Sequence, residues 1–141
     1  MDSAKKGAYL IDMTTTSPQI AEKLYEEGTK RGFHVLDAPV TGGDTGAREG
    51  TLSILVGGDK SDYTNCHELF EAMGTNINYE GSAGCGQHCK LANQIMIAGA
   101  LSGVCEALAY AKAVGLDQQT MLDSISAGAA GSWQMTNMAP R

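Results

Sequence analysis

The sequence predicts an α/β layer followed by an all-helical segment. Three observations carry that expectation. Up to about residue 82, short apolar runs bounded by glycine, proline or aspartate alternate with amphipathic stretches, the pattern of strands and helices packed in layers. From 83 to 115 a single helical periodicity continues without proline. Finally, 43% of the 141 residues are hydrophobic, enough for a core and too many for a chain disordered by composition.

The elements follow in order. Ala8-Tyr9-Leu10-Ile11, between Gly7 and Asp12, suits a buried strand. Ser17 followed by Pro18 opens a helix as hydroxyl cap and first-turn proline. Ile20, Ala21, Leu24 and Tyr25 repeat at helical spacing, and Gly32 stops the helix. Phe33-His34-Val35-Leu36 is the next strand, ended by Asp37-Ala38-Pro39. The stretch from Thr41 to Gly50 reads as a glycine-rich loop. Thr51 to Val56 forms a clear strand closed by Gly57-Gly58. Asp59 then caps one helix expected to run to about Met73, and Asn76 to Tyr79 is a weak strand.

The order is β-α-β-β-α-β before the long helical pattern begins. In that pattern Leu91, Ile95, Ala98, Leu101, Cys105, Leu108 and Ala109 make a nearly continuous apolar stripe. A helix of that length spans about 45 Å, more than a chain of this size covers fully. Either a partner chain covers it or the protein continues beyond Arg141. Asp117 caps a further helix to about Ser126, and Ser132-Trp133-Gln134-Met135 starts another.

Composition narrows the function classes. Ten Lys+Arg against sixteen Asp+Glu give a net charge of −6, without the basic stripe of a nucleic-acid binder. No uncharged apolar run reaches the roughly 18 residues of a membrane span. The N-terminus lacks a long apolar signal core. A cytoplasmic protein with reduced cysteines and no membrane partner is therefore expected. The 18 glycines exceed the usual share and point to tight turns or close backbone approaches.

Three segments could carry chemistry. Asp12-Met13-Thr14-Thr15-Thr16-Ser17-Pro18 joins a strand to a helix, where ligands bind in parallel sheets; a plain helix cap explains the same residues. Thr41-Gly42-Gly43, after Asp37-Ala38-Pro39, could converge backbone N–H groups on a carboxylate; a flexible turn is the alternative. Gly81-Ser82-Ala83-Gly84-Cys85-Gly86 leads into the long helix, where Lys90, Asn93 and Gln94 place polar groups on one face of its first turns. A lysine held there loses solvation and becomes a usable base; a lysine reaching along the surface to water is the alternative.

Two decoys are set aside. Gly84-Cys85-Gly86 imitates a dinucleotide fingerprint, but Cys89 stands where the third glycine belongs, and the acidic residue expected about 20 positions on would fall inside an unbroken helix. Cys85, His88 and Cys89, with Cys66 and His67, raise a zinc site, but no second short cysteine pair completes it, so no metal is expected.

Taken together, these segments resemble the β-hydroxyacid dehydrogenase family, which includes 3-hydroxyisobutyrate dehydrogenase and tartronate semialdehyde reductase. The resembling residues are Asp12-Met13-Thr14-Thr15 with Pro18, Asp37-Ala38-Pro39-Val40-Thr41-Gly42-Gly43, Gly50-Thr51-Leu52 with Gly57-Gly58, and Gly84-x-Gly86 with Lys90, Asn93 and Gln94. They extend over almost the whole chain. The resemblance implies NAD(P)-dependent hydride transfer on a small β-hydroxy acid or its semialdehyde. Lys90 matches the catalytic lysine, and Thr41, Gly42 and Gly43 the segment that grips the substrate carboxylate. Asn93 and Gln94 match substrate-side positions, the second more often asparagine. Thr15 lies where the family places a threonine near the nicotinamide of NAD or NADP. Serine is more usual than Thr41, which keeps the hydroxyl.

The resemblance also implies a domain plan. Residues 1–82 would be the C-terminal part of a Rossmann-like NAD(P)-binding domain, and 83–141 the long interdomain helix with the start of an all-α helical domain. The chain then corresponds to the middle of a protein about twice as long, without the G-x-G-x-x-G loop, and little dehydrogenase activity is expected of it alone. A homo-oligomer is expected from the long apolar helix, and a non-catalytic oligomerising helical fragment is the competing reading. 6-Phosphogluconate dehydrogenase is a more distant relative, since it would want His and Asn where Asn93 and Gln94 stand.

Overall fold

The computed structural model describes residues 1–139. Contacts divide the chain into two units, Met1–Ala92 and a second that begins at Asn93.

The first unit is a five-stranded sheet with helices. Its elements are β1 (Tyr9–Asp12), α1 (Pro18–Lys30), β2 (His34–Asp37), β3 (Val40–Thr41), α2 (Gly43–Glu49), β4 (Leu52–Gly58), α3 (Lys60–Asn65), α4 (His67–Glu71) and β5 (Gly74–Gly81). The first two turns of α5 (Cys85–Ala113) belong with them. β1 and β2 are parallel, with Asp12 opposite Asp37. β4 is central: parallel to β5, and antiparallel to β2 and β3 on its other side. β2 and β3 are one strand interrupted at Ala38-Pro39. Asp37 faces Gly57, Val40 faces Ile54, and Leu55 N–H still donates to Pro39 C=O at 3.0 Å. The reversal into β4 follows from its connection, because α2 and its flanks are too short for a parallel crossover.

β4 is buried along almost its whole length, and its Leu52, Ile54 and Val56 form one core with Leu36, Ala38, Cys66 and Phe70. α1 packs on β2 through a small-residue face. A Cβ on Gly28 would run into the Val35 side chain. His34 ties the strand to α3: its Nδ1–H donates to the buried Asp62 carboxylate at 2.8 Å, and its ring stacks on Tyr9.

Two elements depart from the sequence expectation. The glycine-rich stretch after Thr41 is mostly helix. Asp44 and Arg48 pair across one turn at 2.9 Å, while Gly42 and the left-handed Gly50 bracket the helix rather than dissolve it. The single helix expected from Asp59 to Met73 is two helices meeting at Cys66. Thr64, Asn65 and Cys66 are weak helix formers, and the Asp59 carboxylate accepts from the Tyr25 hydroxyl at 2.9 Å instead of capping.

The second unit holds the rest of α5, α6 (Gln118–Ile125) and α7 (Trp133–Met138). Val104, Leu122 and Met135 form its core. Asp117 and Ser132 cap α6 and α7 as the sequence indicates, accepting from Thr120 N–H and Met135 N–H. Much of α5 is exposed: Ile95 is 73% and Met96 77% accessible. By length and composition α5 is apolar enough to cross a bilayer, a property that the core helices of soluble proteins share.

Candidate functional site

Two of the chemistry-bearing segments, the loop after β1 and the start of α5, meet where the parallel strands β1 and β2 end. Asp37 closes β2 and is only 4% exposed. Its Oδ1 accepts the Gly84 N–H at 2.8 Å and its Oδ2 the Gln87 N–H at 3.0 Å. One carboxylate thus satisfies two open amides at the start of α5, where the helix dipole favours negative charge. The approach demands glycine at two places. A Cβ on Gly86 would strike the Leu55 carbonyl oxygen, with Asp37 Oδ2 at 2.8 Å; one on Gly57 would lie 2.6 Å from Asp37 Oδ1. The Gly84-x-Gly86 pair is therefore a packing device, and the helix end that a pyrophosphate would use is already filled by Asp37.

The loop after β1 is held from the same place. Gln87 is fully buried. Its Nε2 donates to Thr14 C=O at 2.7 Å, and its Oε1 accepts Thr16 N–H at 2.9 Å. Asp12 Oδ1 takes the Thr14 N–H at 2.9 Å. Thr15 lies between the two clamped groups with its side chain exposed.

Lys90 follows one turn after Gly86 and Gln87 and is 7% exposed, so it does not lie out along the surface. Burial lowers its pKa from the ordinary lysine value. Asn93 and Gln94 stand a further turn along α5, Asn93 half-buried and Gln94 exposed; both fall in the second unit. Thr41 ends β3 opposite Ser53. Gly42 and Gly43 adopt positive φ of 135° and 65°, and Gly43 faces open space.

The sequence reading thus finds Thr15 and Lys90 on elements that the structure joins through Gln87, while Thr41 to Gly43 form a separate turn on the same unit. It passes over Asp37 as a cap and Gln87 altogether. The available signal is Gly86 itself: a helix admitted against strand backbone by a glycine must satisfy the polar residue beside it.

Among the described residues no three metal-capable side chains cluster. Burial raises the pKa of the Cys66 thiol, and burial with Glu80 nearby raises that of Cys89, so both favour the inert thiol form. A cavity of about 300 Å³ lies under α1, lined by Leu10, Ala21, Leu24, Val35 and Leu36 and, at the ends of β1 and β2, by Asp12 and Asp37.

Residues 1–81 match the family model described as the NAD binding domain of 6-phosphogluconate dehydrogenase. Residues 84–141 match that described as the NAD-binding segment of NADP-dependent 3-hydroxyisobutyrate dehydrogenase. An uncharacterized oxidoreductase of Bacillus subtilis is 52% identical over all of this chain and 49% of its own length. The 2-hydroxy-3-oxopropionate reductase of Escherichia coli is 42% identical over 90% of this chain and 44% of its own. In structure, the 3-hydroxyisobutyrate dehydrogenase of Mycobacterium tuberculosis, solved with L-serine, superposes with a TM-score of 0.90 at 31% identity, over 99% of this chain and 48% of that one. The chain spans about half the length of the curated relatives it matches.

Proposed function

The chain belongs to the β-hydroxyacid dehydrogenase family, and we propose that it carries the proton-transferring and substrate-gripping part of an NAD(P)-dependent dehydrogenase for a small β-hydroxy acid or its semialdehyde. The observation that carries this reading is Lys90, buried at the start of α5 with its pKa lowered. A buried amine is neutral more of the time, so its Nζ can accept the proton of a substrate hydroxyl during oxidation and return it during reduction.

The residues present fit a nicotinamide cofactor: exposed Thr14 and Thr15 stand beyond the carboxyl ends of two parallel strands, where open α/β sheets receive ligands. When bound, NAD or NADP supplies hydride acceptance or donation at the carbon that bears the oxygen. Thr15 stands on the nicotinamide side in this reading. Backbone N–H groups at Thr41, Gly42 and Gly43 hold the substrate carboxylate, the positive-φ glycines leaving room for it. Asn93 and Gln94 contact the substrate's polar groups.

In the same reading residues 1–82 form part of a Rossmann-like cofactor domain, and 83–141 the interdomain helix and start of a helical domain. The exposed Ile95 and Met96 support pairing of α5 with a second copy in a homo-oligomer. The acidic balance of −6 supports a cytoplasmic metabolic role without nucleic acid. We read α5 as a helix between protein surfaces, not a membrane span, because Lys90 and Glu106 bound its uncharged run.

The test is Lys90→Met in the full protein that contains this chain, assayed with 3-hydroxyisobutyrate and with NAD or NADP. Loss of a general base lowers kcat by about 10²–10⁴-fold. A variant with unchanged kcat would leave only the non-catalytic, oligomerising reading.

A further inference from the structure

Gln87 is fully buried within the first unit, in the first turn of α5. A buried amide is costly unless its donor and acceptor are both bonded. Here both are, and both bonds go to one loop: Nε2–H to Thr14 C=O and Oε1 from Thr16 N–H. The side chain thus acts as a strand neighbour would, pairing the groups on either side of Thr15. Its own backbone is held as well, since Gln87 N–H donates to Asp37 Oδ2. The clamp therefore hangs from the end of β2, and Lys90 follows three residues later on the same helix.

We propose that Gln87 is a positioning residue: by tying the backbone of Thr14 and Thr16 to the first turn of α5, it sets where Thr15 stands relative to Lys90. This inference rests on the reading of Lys90 and Thr15 given above. It adds a requirement: the cofactor-side loop and the proton-transferring helix move as one body, tied through the Gln87 amide side chain. A displacement of about 1 Å between reacting groups can cost about 100-fold in rate, so losing the tie should affect the hydride-transfer step more than the affinity for either ligand.

The experiment uses the full protein with two variants and one measurement on the unaltered protein. Gln87→Met keeps the volume and removes both bonds. It should lower the single-turnover hydride-transfer rate by about 10- to 100-fold, with KM for the β-hydroxy acid within about twofold. Gln87→Glu separates position from mere filling. A protonated glutamic acid offers the same donor and acceptor as the amide, whereas a carboxylate keeps the acceptor for Thr16 N–H but turns a second acceptor, in place of the donor, toward the Thr14 carbonyl. The rate of this variant relative to wild type should therefore approach one as pH falls and decline as pH rises.

Independently of turnover, the Thr16 amide of the unaltered protein should exchange with solvent about tenfold or more slowly than an open-loop amide, since its N–H is held by a buried acceptor. Unchanged hydride transfer in Gln87→Met, a flat pH ratio for Gln87→Glu, or open-loop exchange at Thr16 would each overturn the inference. The two readings fail differently. If Lys90→Met loses activity while Gln87→Met does not, only the positioning role falls. If Lys90→Met is fully active, the positioning role falls with the proposed function, and slow Thr16 exchange then marks a tie of structure alone.

Discussion

The first two turns of α5 and its middle lie on one continuous helix and are specified by opposite means. At the start, Gly86, Gln87 and Lys90 are buried, and polar bonds fix the register: a carboxylate on two amides and a side-chain amide on a loop. In the middle, Ile95 and Met96 face water, and around Gly99 and Gly103 an added Cβ would meet nothing. The first region tolerates no change of shape, because its neighbours are strand backbone. The second tolerates many, because that stretch is largely exposed and the unit's core with Leu122 and Met135 takes Val104 and part of Leu108 further along the helix. Apolar periodicity alone says a helix exists; buried polar partners say where it must stand.

The largest effect that could break this contrast is Gly86→Ala. The new methyl would press on the Leu55 carbonyl oxygen and come within 2.9 Å of Asp37 backbone oxygen and 2.8 Å of its Oδ2. The two backbone oxygens cannot swing away as a side-chain tip could, and the Asp37 carboxylate is held by the Gly84 and Gln87 N–H groups. The strand or the helix must shift, costing about 3 kcal/mol or more. Denaturant unfolding should show that loss. An unchanged midpoint would mean that the close packing of α5 on β4 does not exist in solution.

What the sequence made legible follows the same division. The change from alternating elements to one long helix, the Ser17, Asp117 and Ser132 caps and the stop at Gly32 are local signals and stand where expected. The break at Cys66 was hidden because each half keeps helical spacing, and α2 because its bracketing glycines outweighed its helix-forming middle. In the candidate site, Lys90 was visible as a charge in an apolar stripe. Gln87 was not, since its partners are Thr14 and Thr16, 73 and 71 positions away, and no spacing rule joins residues that meet only after the sheet forms.

A smaller effect sharpens the comparison through pH. Burial lowers the pKa of Lys90 from its ordinary 10.5, so the folded protein binds that proton less tightly than the unfolded chain. Between the lowered value and 10.5 the unfolded chain carries more protons, and stability must rise with pH across that window. Below the lowered value the penalty for the buried charge is present in full. Lys90→Met removes this dependence, so the stability of wild type relative to the variant should climb from neutral pH toward alkaline pH. A difference that stays flat would place the ammonium in water and return Lys90 to the surface.

The smallest effect comes from applying the Gly86 substitution thirteen positions further along the same helix. Gly99 has helical backbone, is exposed, and has nothing within 4 Å of an added Cβ. Glycine there loses more backbone freedom on folding than alanine would, without any contact in return. Gly99→Ala should therefore stabilise the helical unit by about 0.5–1 kcal/mol, read as a higher unfolding midpoint and slower amide exchange in α5. The two alanine variants should thus move stability in opposite directions, and that difference in sign is the sharpest form of the contrast. If Gly99→Ala destabilised the isolated chain instead, some surface would already be seated on that face in solution. The middle of α5 would then be a close-packed seam like its start.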